Sequence, residues 1–522
     1  MTGPPHAAGP DGPQEETAAV TPQPSLAGRL IRGSSWRILA QIMPLFVNLA
    51  LTPFVITTLG RTGYGLWLVT STVTQLIATF DGGIGRSAQY YFALHAGTDD
   101  RRSITRLLVT LSVAAIAVSG LFLVPAFILA ADIARFFQAP PELLDDTTFL
   151  LRVLLVLVAA GLLRNLFAAA LHAYERFAIS SVSSLLSYAV YAAGMLWVLS
   201  AGMGLRGVAY AFIAQQVVAT LTIVPPSLRH LSWRGVGFVS WARLLEVGKV
   251  SWRVQVSGLL TIASMQGVLL IVGRLRPGQV PDFGPGNTFA QQLRLIPMNG
   301  VAPIQAMLGR SVGSIGPAAA APEMTHVQRI WVRAVTGWVV VGAPAAYVGV
   351  NVWLPLEGEL AGQVAAIMLV AQWLALLPQV LLQWLLLLGR AQYEMWSSAL
   401  TVLLLAVVSL ILVPQVGAIG AAVGAVVGQF GGLMLLLWIS RRLEVPVPSA
   451  WSAVPWWQAV VAGSCSAAAV WVMQMLIQDG PLPSGGLGLL LCGAAAGPAL
   501  LLFVVLTWGP GTVQRFLRSR LR

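Results

Sequence analysis

Residues 396–440 read WSSALTVLLLAVVSLILVPQVGAIGAAVGAVVGQFGGLMLLLWIS, 45 positions without one Asp, Glu, Lys or Arg. An α-helix needs about 20 predominantly apolar residues to cross the hydrocarbon of a bilayer, so this run is long enough to cross twice. Pro414 and Gly417 interrupt it near the middle, where a helix pair would turn. Glu394 stands before it and Arg441-Arg442 close it, so both ends return to water on one side. Helices satisfy their backbone polar groups internally, which hydrocarbon demands. A membrane β-barrel would instead show strands of about ten residues with alternating polarity, and none is visible.

The same pattern runs outward in both directions. Apolar residues are 57% of the chain and charged residues 10%, against about 25% charged in soluble domains, so no sizeable water-soluble domain fits. Fourteen spans are expected, at 34–58, 64–93, 104–131, 149–172, 178–201, 205–227, 248–273, 285–308, 328–353, 362–388, 396–414, 417–440, 454–478 and 486–508. Residues 1–27 are rich in Pro, Gly and Ala and lack a basic start before an apolar core, so they read as a disordered cytoplasmic tail and not a signal peptide. Cys465 and Cys492 fall in apolar spans as packing residues, and no Cys/His cluster has metal-ligand spacing. No cofactor or metal is expected.

Charge gives the orientation. With the tails and every second loop assigned to the cytoplasm, that side holds 22 of the 31 Lys and Arg residues and the other side 6, leaving Arg86, Arg164 and Arg294 inside spans. Both termini are therefore expected in the cytoplasm, in a multi-pass protein of the cell (plasma or inner) membrane. The net charge of +12 then reflects basic loops facing anionic lipid headgroups. Basic residues scattered over short loops argue against nucleic acid as a partner. Residues 229–253 interleave Trp233, Trp241 and Trp252 with Arg234, Arg243 and Lys249, suiting a helix at the interface or simple topology anchoring.

Three landmarks recur at nearly one offset. Ser35-Trp36-Arg37 opens span one and Ser251-Trp252-Arg253 opens span seven, 216 residues on. Tyr174-Glu175 and Tyr393-Glu394 lie 219 apart; Gly204, Gly207 and Gln216 match Gly417, Gly420 and Gln429 at 213. The chain is thus expected to be all-α, with an N-lobe (28–230, spans one to six) and a C-lobe (231–445, spans seven to twelve) related by a pseudo-two-fold along the membrane normal. Residues 446–522 add two helices and a basic tail. Repeated lobes that rock against each other are the frame of alternating-access transport. In span twelve, Gly420, Gly424, Gly428 and Gly432 form a small-residue stripe for close helix packing.

The run Leu59-Gly60-Arg61-Thr62-Gly63-Tyr64-Gly65-Leu66-Trp67, followed by Phe80-Asp81-Gly82-Gly83-Ile84-Gly85, resembles the polysaccharide flippases of the multidrug/oligosaccharidyl-lipid/polysaccharide exporter superfamily. Arg243-Leu244-Leu245-Glu246-Val247-Gly248 and Gly204-Leu205-Arg206-Gly207-Val208-Ala209 are similar to theirs, and the span arrangement agrees over roughly 30–440. The resemblance implies a V-shaped pair of six-helix bundles around a cavity. It implies a polyprenyl-pyrophosphate-linked oligosaccharide as cargo, carried from the inner to the outer leaflet for cell-surface polysaccharide biosynthesis. Membrane lipids and a polysaccharide polymerase or assembly machinery would be its partners. Many relatives carry an acid midway along span seven, where this chain has Gln266, which puts ion coupling in doubt.

An Arg at the centre of a membrane helix costs about 2.5–3.5 kcal/mol on insertion scales, so such residues usually face a wet cavity or a partner. Arg86, Arg164 and Arg294 against the single acid Asp81 leave the spans net positive, which suits a diphosphate, and guanidinium donors fit phosphate. The alternatives are an Arg86–Asp81 pair and an Arg164 that snorkels to the surface. Arg37 and Arg253, one turn inside their helices, could snorkel or stand symmetrically at a cavity mouth. Asp81-Gly82-Gly83 could unwind span two beside a cavity or pack it closely against a neighbour. The expected substrate-binding residues are therefore Arg37, Arg86, Arg253, Arg294 and Arg164, and the expected coupling or hinge residues Asp81, Gly82, Gly83 and Gln266. A drug or metabolite cation antiporter would want more acids in its cavity. A membrane glycosyltransferase or ligase would want long outer loops and a supported acid/base pair beyond the exposed Asp145-Asp146, so no enzyme is expected.

Overall fold

The computed structural model describes residues 26–79, 88, 92, 101–174, 176–229, 231–232, 241–298, 300–354, 359–390, 392–443, 453–478 and 485–509; over 26–42 and 241–255 only the backbone is described. Every regular element among these is helical. The first, α1 (Leu26–Ala78), has 53 residues. At about 1.5 Å per residue a straight helix of that length would be far longer than the ~30 Å hydrocarbon core. Gly60 resolves this with φ 70° and ψ 169°, a backbone that costs an L side chain dearly, so α1 folds back as spans one and two.

There follow α2 (Arg101–Ile128), the short α3 (Ala130–Phe136), α4 (Pro141–Ala173), α5 (Phe177–Ser200) and α6 (Gly204–Leu228), which complete the N-lobe. The C-lobe comprises α7 (Trp241–Leu275), α8 (Val280–Met298), α9 (Val301–Ile315), α10 (Pro317–Trp353), α11 (Leu360–Leu376), α12 (Gln379–Leu387), α13 (Gln392–Val416) and α14 (Ala418–Arg442). Helices α15 (Trp456–Gln478) and α16 (Gly486–Trp508) end the described chain. Eleven helical runs are long and apolar enough to cross a membrane by themselves. The two arms of α1 and the α8–α9 pair bring the spans to the fourteen expected.

The repeat is visible in which helices touch. Helix α1, which carries spans one and two, packs on span five, span three on four, four on six and five on six; in the C-lobe α7 packs on α13, α10 on α11, α11 on α14 and α13 on α14. These are the same pairings six spans later. The glycine landmarks have a local cause. Gly204 and Gly417 both sit at positive φ, 57° and 72°, in the turns before spans six and twelve. Three residues on, a Cβ at Gly207 would lie 3.0 Å from Val198 Cβ, and one at Gly420 2.6 Å from the Leu412 backbone, so each hairpin closes through a missing side chain. The rest of the span-twelve stripe continues this contact: Gly428 faces the Thr401 carbonyl at 2.6 Å by the same measure.

Burial shows how the lobes meet. One apolar core joins residues of both, from Val47, Tyr64 and Val69 to Val272, Phe283 and Val350. Towards the end bearing the termini the cores separate: Ile104, Leu108 and Leu166 belong to the N-lobe alone, Leu308, Leu377 and Leu436 to the C-lobe alone. The two bundles therefore form a V closed at the Gly60 end. The last two helices pack on α10 and on each other, with Cys492 buried between and Cys465 exposed. Large apolar side chains such as Leu121, Trp197, Leu221 and Leu403 are exposed, as expected of a surface solvated by lipid.

Two spans are broken within their length: span eight between the end of α8 at Met298 and the start of α9 at Val301, and span ten at 377–378. Pro378 interrupts span ten because proline has no N–H to continue the helix. The carbonyls freed there are taken by span nine: Trp331 Nε1 donates to Leu376 O at 2.7 Å and Gln328 Nε2 to Leu377 O at 3.0 Å. Irregular backbone is tolerated in hydrocarbon where protein satisfies it or where it lines a cavity.

Candidate substrate cavities

The V holds two polar cavities, and α8 is the wall between them. Pro285, Thr288, Phe289 and Gln292 face the first, at the three- and four-residue spacing of one helix face. Arg294 and Met298 face the second. The first cavity, of about 260 Å³, lies between the lobes: Asn48, Tyr64, Trp67 and Gln75 come from α1, Tyr188 and Tyr191 from α5, Phe212 and Gln215 from α6, and Trp353 from α10. Aromatic rings interlock in its wall, with Tyr191 5.0 Å from Phe212 and Tyr64 5.5 Å from Trp67 between centroids.

The second cavity, of about 540 Å³, is walled by the C-lobe, with Thr79 its contribution from the N-lobe among the described residues. Both helix breaks reach it, through Met298 on one side and Ala375, Pro378 and Gln379 on the other. Gln383, Gln429, Ser397 and Thr401 make the wall polar, Glu394 is its carboxylate and Arg294 its cation. No hydrogen bond or ion pair of Arg294 occurs among the described residues. The sequence suggested that Arg294 would stand in a single cavity between the lobes; α8 turns it into the C-lobe compartment instead, because positions two apart on a helix point to nearly opposite sides.

Gln266, expected at a coupling or hinge position, bridges the lobes: its Nε2 donates to Gln75 Oε1 at 2.6 Å. Gln75 lines the first cavity and Met265, beside Gln266, lines the second. This pair therefore sits at the boundary. Arg164 lies within the N-lobe, where Nη1 donates to Gln216 Oε1 at 2.8 Å and Nη2 reaches Asn165 Oδ1 at 3.4 Å. Arg37 and Arg253 are on the helical backbones of α1 and α7, and their side chains lie outside the described residues, as do Asp81, Gly82, Gly83 and Arg86 entirely.

Beyond the first cavity, at the closed end, Arg61 Nη2 meets Asp282 Oδ2 at 2.6 Å across the lobes. Glycines let the helices approach there: a Cβ on Gly65 would lie 3.4 Å from Pro281, one on Gly273 2.9 Å from Val69. Sequence reasoning missed this ion pair and the aromatic wall. The three-residue spacing of Tyr188 and Tyr191, which sets both on one face of span five, was a signal for the wall; nothing local pairs Arg61 with a residue 221 positions away.

Two six-helix lobes in parallel orientation, closed at one end over polar cavities, define the fold of this polytopic membrane protein. Comparison with solved structures places that fold more narrowly. The lipid II flippase MurJ in an inward closed conformation superposes with a TM-score of 0.64 at 9% identity, over 94% of this chain and all of that one. An inward-facing multidrug resistance MATE family transporter of the MOP superfamily gives 0.61 at 16% identity, over 77% of this chain and 94% of its own. A MOP superfamily transporter from Pyrococcus furiosus, whose binding pocket is described as reversed in polarity, gives 0.60 at 16%, over 80% and 96%. The sequence matches no protein-family profile and no curated protein. The chain has the fold of MOP superfamily transporters.

Proposed function

We propose that this protein is a flippase that carries a polyprenyl-pyrophosphate-linked oligosaccharide from the inner to the outer leaflet, by alternating access between its two lobes, for the synthesis of a cell-surface polysaccharide. The observation that carries this is Arg294: a guanidinium in a polar C-lobe cavity at membrane depth, with no partner among the described residues. A diphosphate headgroup cannot enter hydrocarbon unpaired, and a forked, permanently charged donor in a wet cleft replaces part of its water. One such group holds the cargo without trapping it. The amides of Gln383 and Gln429 leave room for hydroxyls and water.

The extent of the structural likeness also supports this reading. In the MurJ superposition, 6% of 522 residues, about 31, remain unmatched. Spans thirteen and fourteen alone exceed that, so the superposition enters them, whereas the MATE structures cover 77–80% of the chain. MurJ is a flippase of lipid II by its own description. The test is to delete the gene in its host and analyse lipid-linked glycans by mass spectrometry with leaflet-selective labelling. Completed lipid-linked oligosaccharide should accumulate in the inner leaflet. Unchanged glycans together with new sensitivity to cationic drugs would replace the flippase reading with the antiporter one.

A further inference from the structure

The inter-lobe cavity is distinguished by what its wall omits. Its lining consists of aromatic rings, amides, hydroxyls and a few aliphatic groups, without one Asp, Glu, Lys, Arg or His among the described residues. Two donors in that wall have no hydrogen-bond partner among the described residues although their atoms are buried: Trp67 Nε1 and Ser71 Oγ. They are four residues apart on one helix and so share a face. Native structures rarely leave buried polar atoms unpaired, and each such atom asks for an explanation.

We propose that this cavity is the subsite for uncharged sugar rings of the cargo, a reading that rests on the flippase function above and adds the chemistry of the glycan. A pyranose offers C–H faces and a rim of hydroxyls. Aromatic side chains such as Tyr191 and Trp67 take the faces by apolar burial while presenting a polar edge. Amides such as Gln215 and Gln292 carry both donors and acceptors and match hydroxyls in either sense. The unpaired indole N–H and serine hydroxyl are completed by ring hydroxyls. At about 260 Å³ the cavity lies just under the ~300–1,000 Å³ of sites for drug-sized ligands, so it takes a short segment of the glycan and not the whole. It lies on the other side of α8 from the Arg294 compartment, with the Gln75–Gln266 pair at the boundary; a headgroup with its diphosphate near Arg294 reaches it with its first sugars when that pair parts. Among the described residues no cation lines the wall itself: Arg164, which interacts with Tyr188 of the wall, is held by Gln216 and Asn165. A uronic acid there would lose its hydration without a direct partner, so the segment that binds is neutral.

The test uses the full chain in lipid nanodiscs and three probes: a polyprenyl pyrophosphate without sugar, one bearing a neutral N-acetylhexosamine–hexose disaccharide, and the same with a hexuronic acid replacing the hexose. Binding is read by calorimetry. The neutral probe should bind at least tenfold more tightly than the sugar-free one, and the uronate probe should lose that gain. Trp67→Phe keeps the ring and removes the N–H, and Ser71→Ala removes the hydroxyl. Each should weaken the neutral probe about fivefold, the scale of one net hydrogen bond, with no change for the sugar-free probe. Gln292→Lys should restore the uronate. Equal affinity for sugar-bearing and sugar-free probes, or indifference to both conservative variants, overturns the subsite while leaving the flippase intact. Binding of none of the three overturns both. Tight binding of tetraphenylphosphonium that Trp67→Phe weakens would make the cavity a cation box and also overturns the subsite.

Discussion

Arg164 and Arg294 are the same residue type within spans four and eight, and their surroundings differ. Arg164 donates to Gln216 inside its lobe, although its Nε and the Gln216 Nε2 stay unpaired among the described residues. Arg294 faces the C-lobe cavity. The repeat sharpens the contrast: the offset of 219 carries Arg164 onto Gln383, and that of 213 carries Gln216 onto Gln429. Both C-lobe counterparts line the cavity with Arg294, so the N-lobe keeps a closed Arg–Gln pair where the C-lobe has an open amide pair. Removing from a membrane span a charge that has no partner among the described residues relieves up to about 2.5–3.5 kcal/mol of insertion cost. Arg294→Gln should therefore melt no lower than the parent in detergent while cargo transport falls at least tenfold. Arg164→Ala strips a buried amide of its donor, worth about 1–3 kcal/mol, and should melt lower. A lower melting temperature for Arg294→Gln with transport intact would make Arg294 structural. The sequence left Arg164 the alternative of snorkelling to the surface and named none for Arg294, but the partner that separates them lies 52 residues away and no local pattern encodes it.

At the scale of elements, what the sequence revealed and what it hid follow from the range of the forces involved. Span positions were legible because hydrocarbon solvation acts on every residue of a helix. The hairpins of spans five–six and eleven–twelve were legible because Gly204 and Gly417 need a left-handed backbone and Gly207 and Gly420 a close approach, and both demands are local. The broken span ten was not. Pro378 is tolerated in many membrane helices, and the break depends on Trp331 and Gln328 reaching in from span nine. The glycine stripe gives a prediction of opposite signs on two helices. At Gly428 a methyl would press on the Thr401 carbonyl, backbone that cannot yield, at 2.6 Å, and overpacking of this kind costs about 1–3 kcal/mol. At Gly493 a methyl meets nothing within 4 Å, and alanine gains up to about 1 kcal/mol in helix propensity. Thermal unfolding in detergent should show Gly428→Ala destabilised and Gly493→Ala unchanged or slightly stabilised. Similar losses at both positions would mean that the stripe does not set the approach of spans eleven and twelve.

At the scale of the whole molecule, the repeat foretold two parallel lobes. The place where they close had to be seen, since it rests on pairs more than 190 residues apart. The alternating access proposed above requires the closed end to open, so whatever holds it must be specific yet weak. The Arg61–Asp282 pair has that balance. Asp282 is buried, at 6% exposed, with Oδ1 unpaired, while the Arg61 side chain is 47% exposed. A fully exposed pair contributes about 0–1 kcal/mol, and stripping the partner from a fully buried charge costs about 3–5 kcal/mol, so this latch falls between. A shift of about 1.4 kcal/mol changes the ratio of two states tenfold, which is enough to redistribute carriers between closed and open without locking either. Arg61→Asp sets two carboxylates face to face and should open this end. Spin labels placed across it on spans two and eight should show a longer distance, and cargo transport should fall. The double exchange Arg61→Asp with Asp282→Arg restores opposite charges at the same contact and should recover both the short distance and part of the transport. Neutral Asp282→Asn should fall between, since its amide still accepts a hydrogen bond from Arg61 but carries no charge. If the reversed pair behaves like the single Arg61→Asp variant, attraction between these side chains is not what closes the lobes, and the glycine-mediated contacts of Gly65 and Gly273 must hold that end by packing alone.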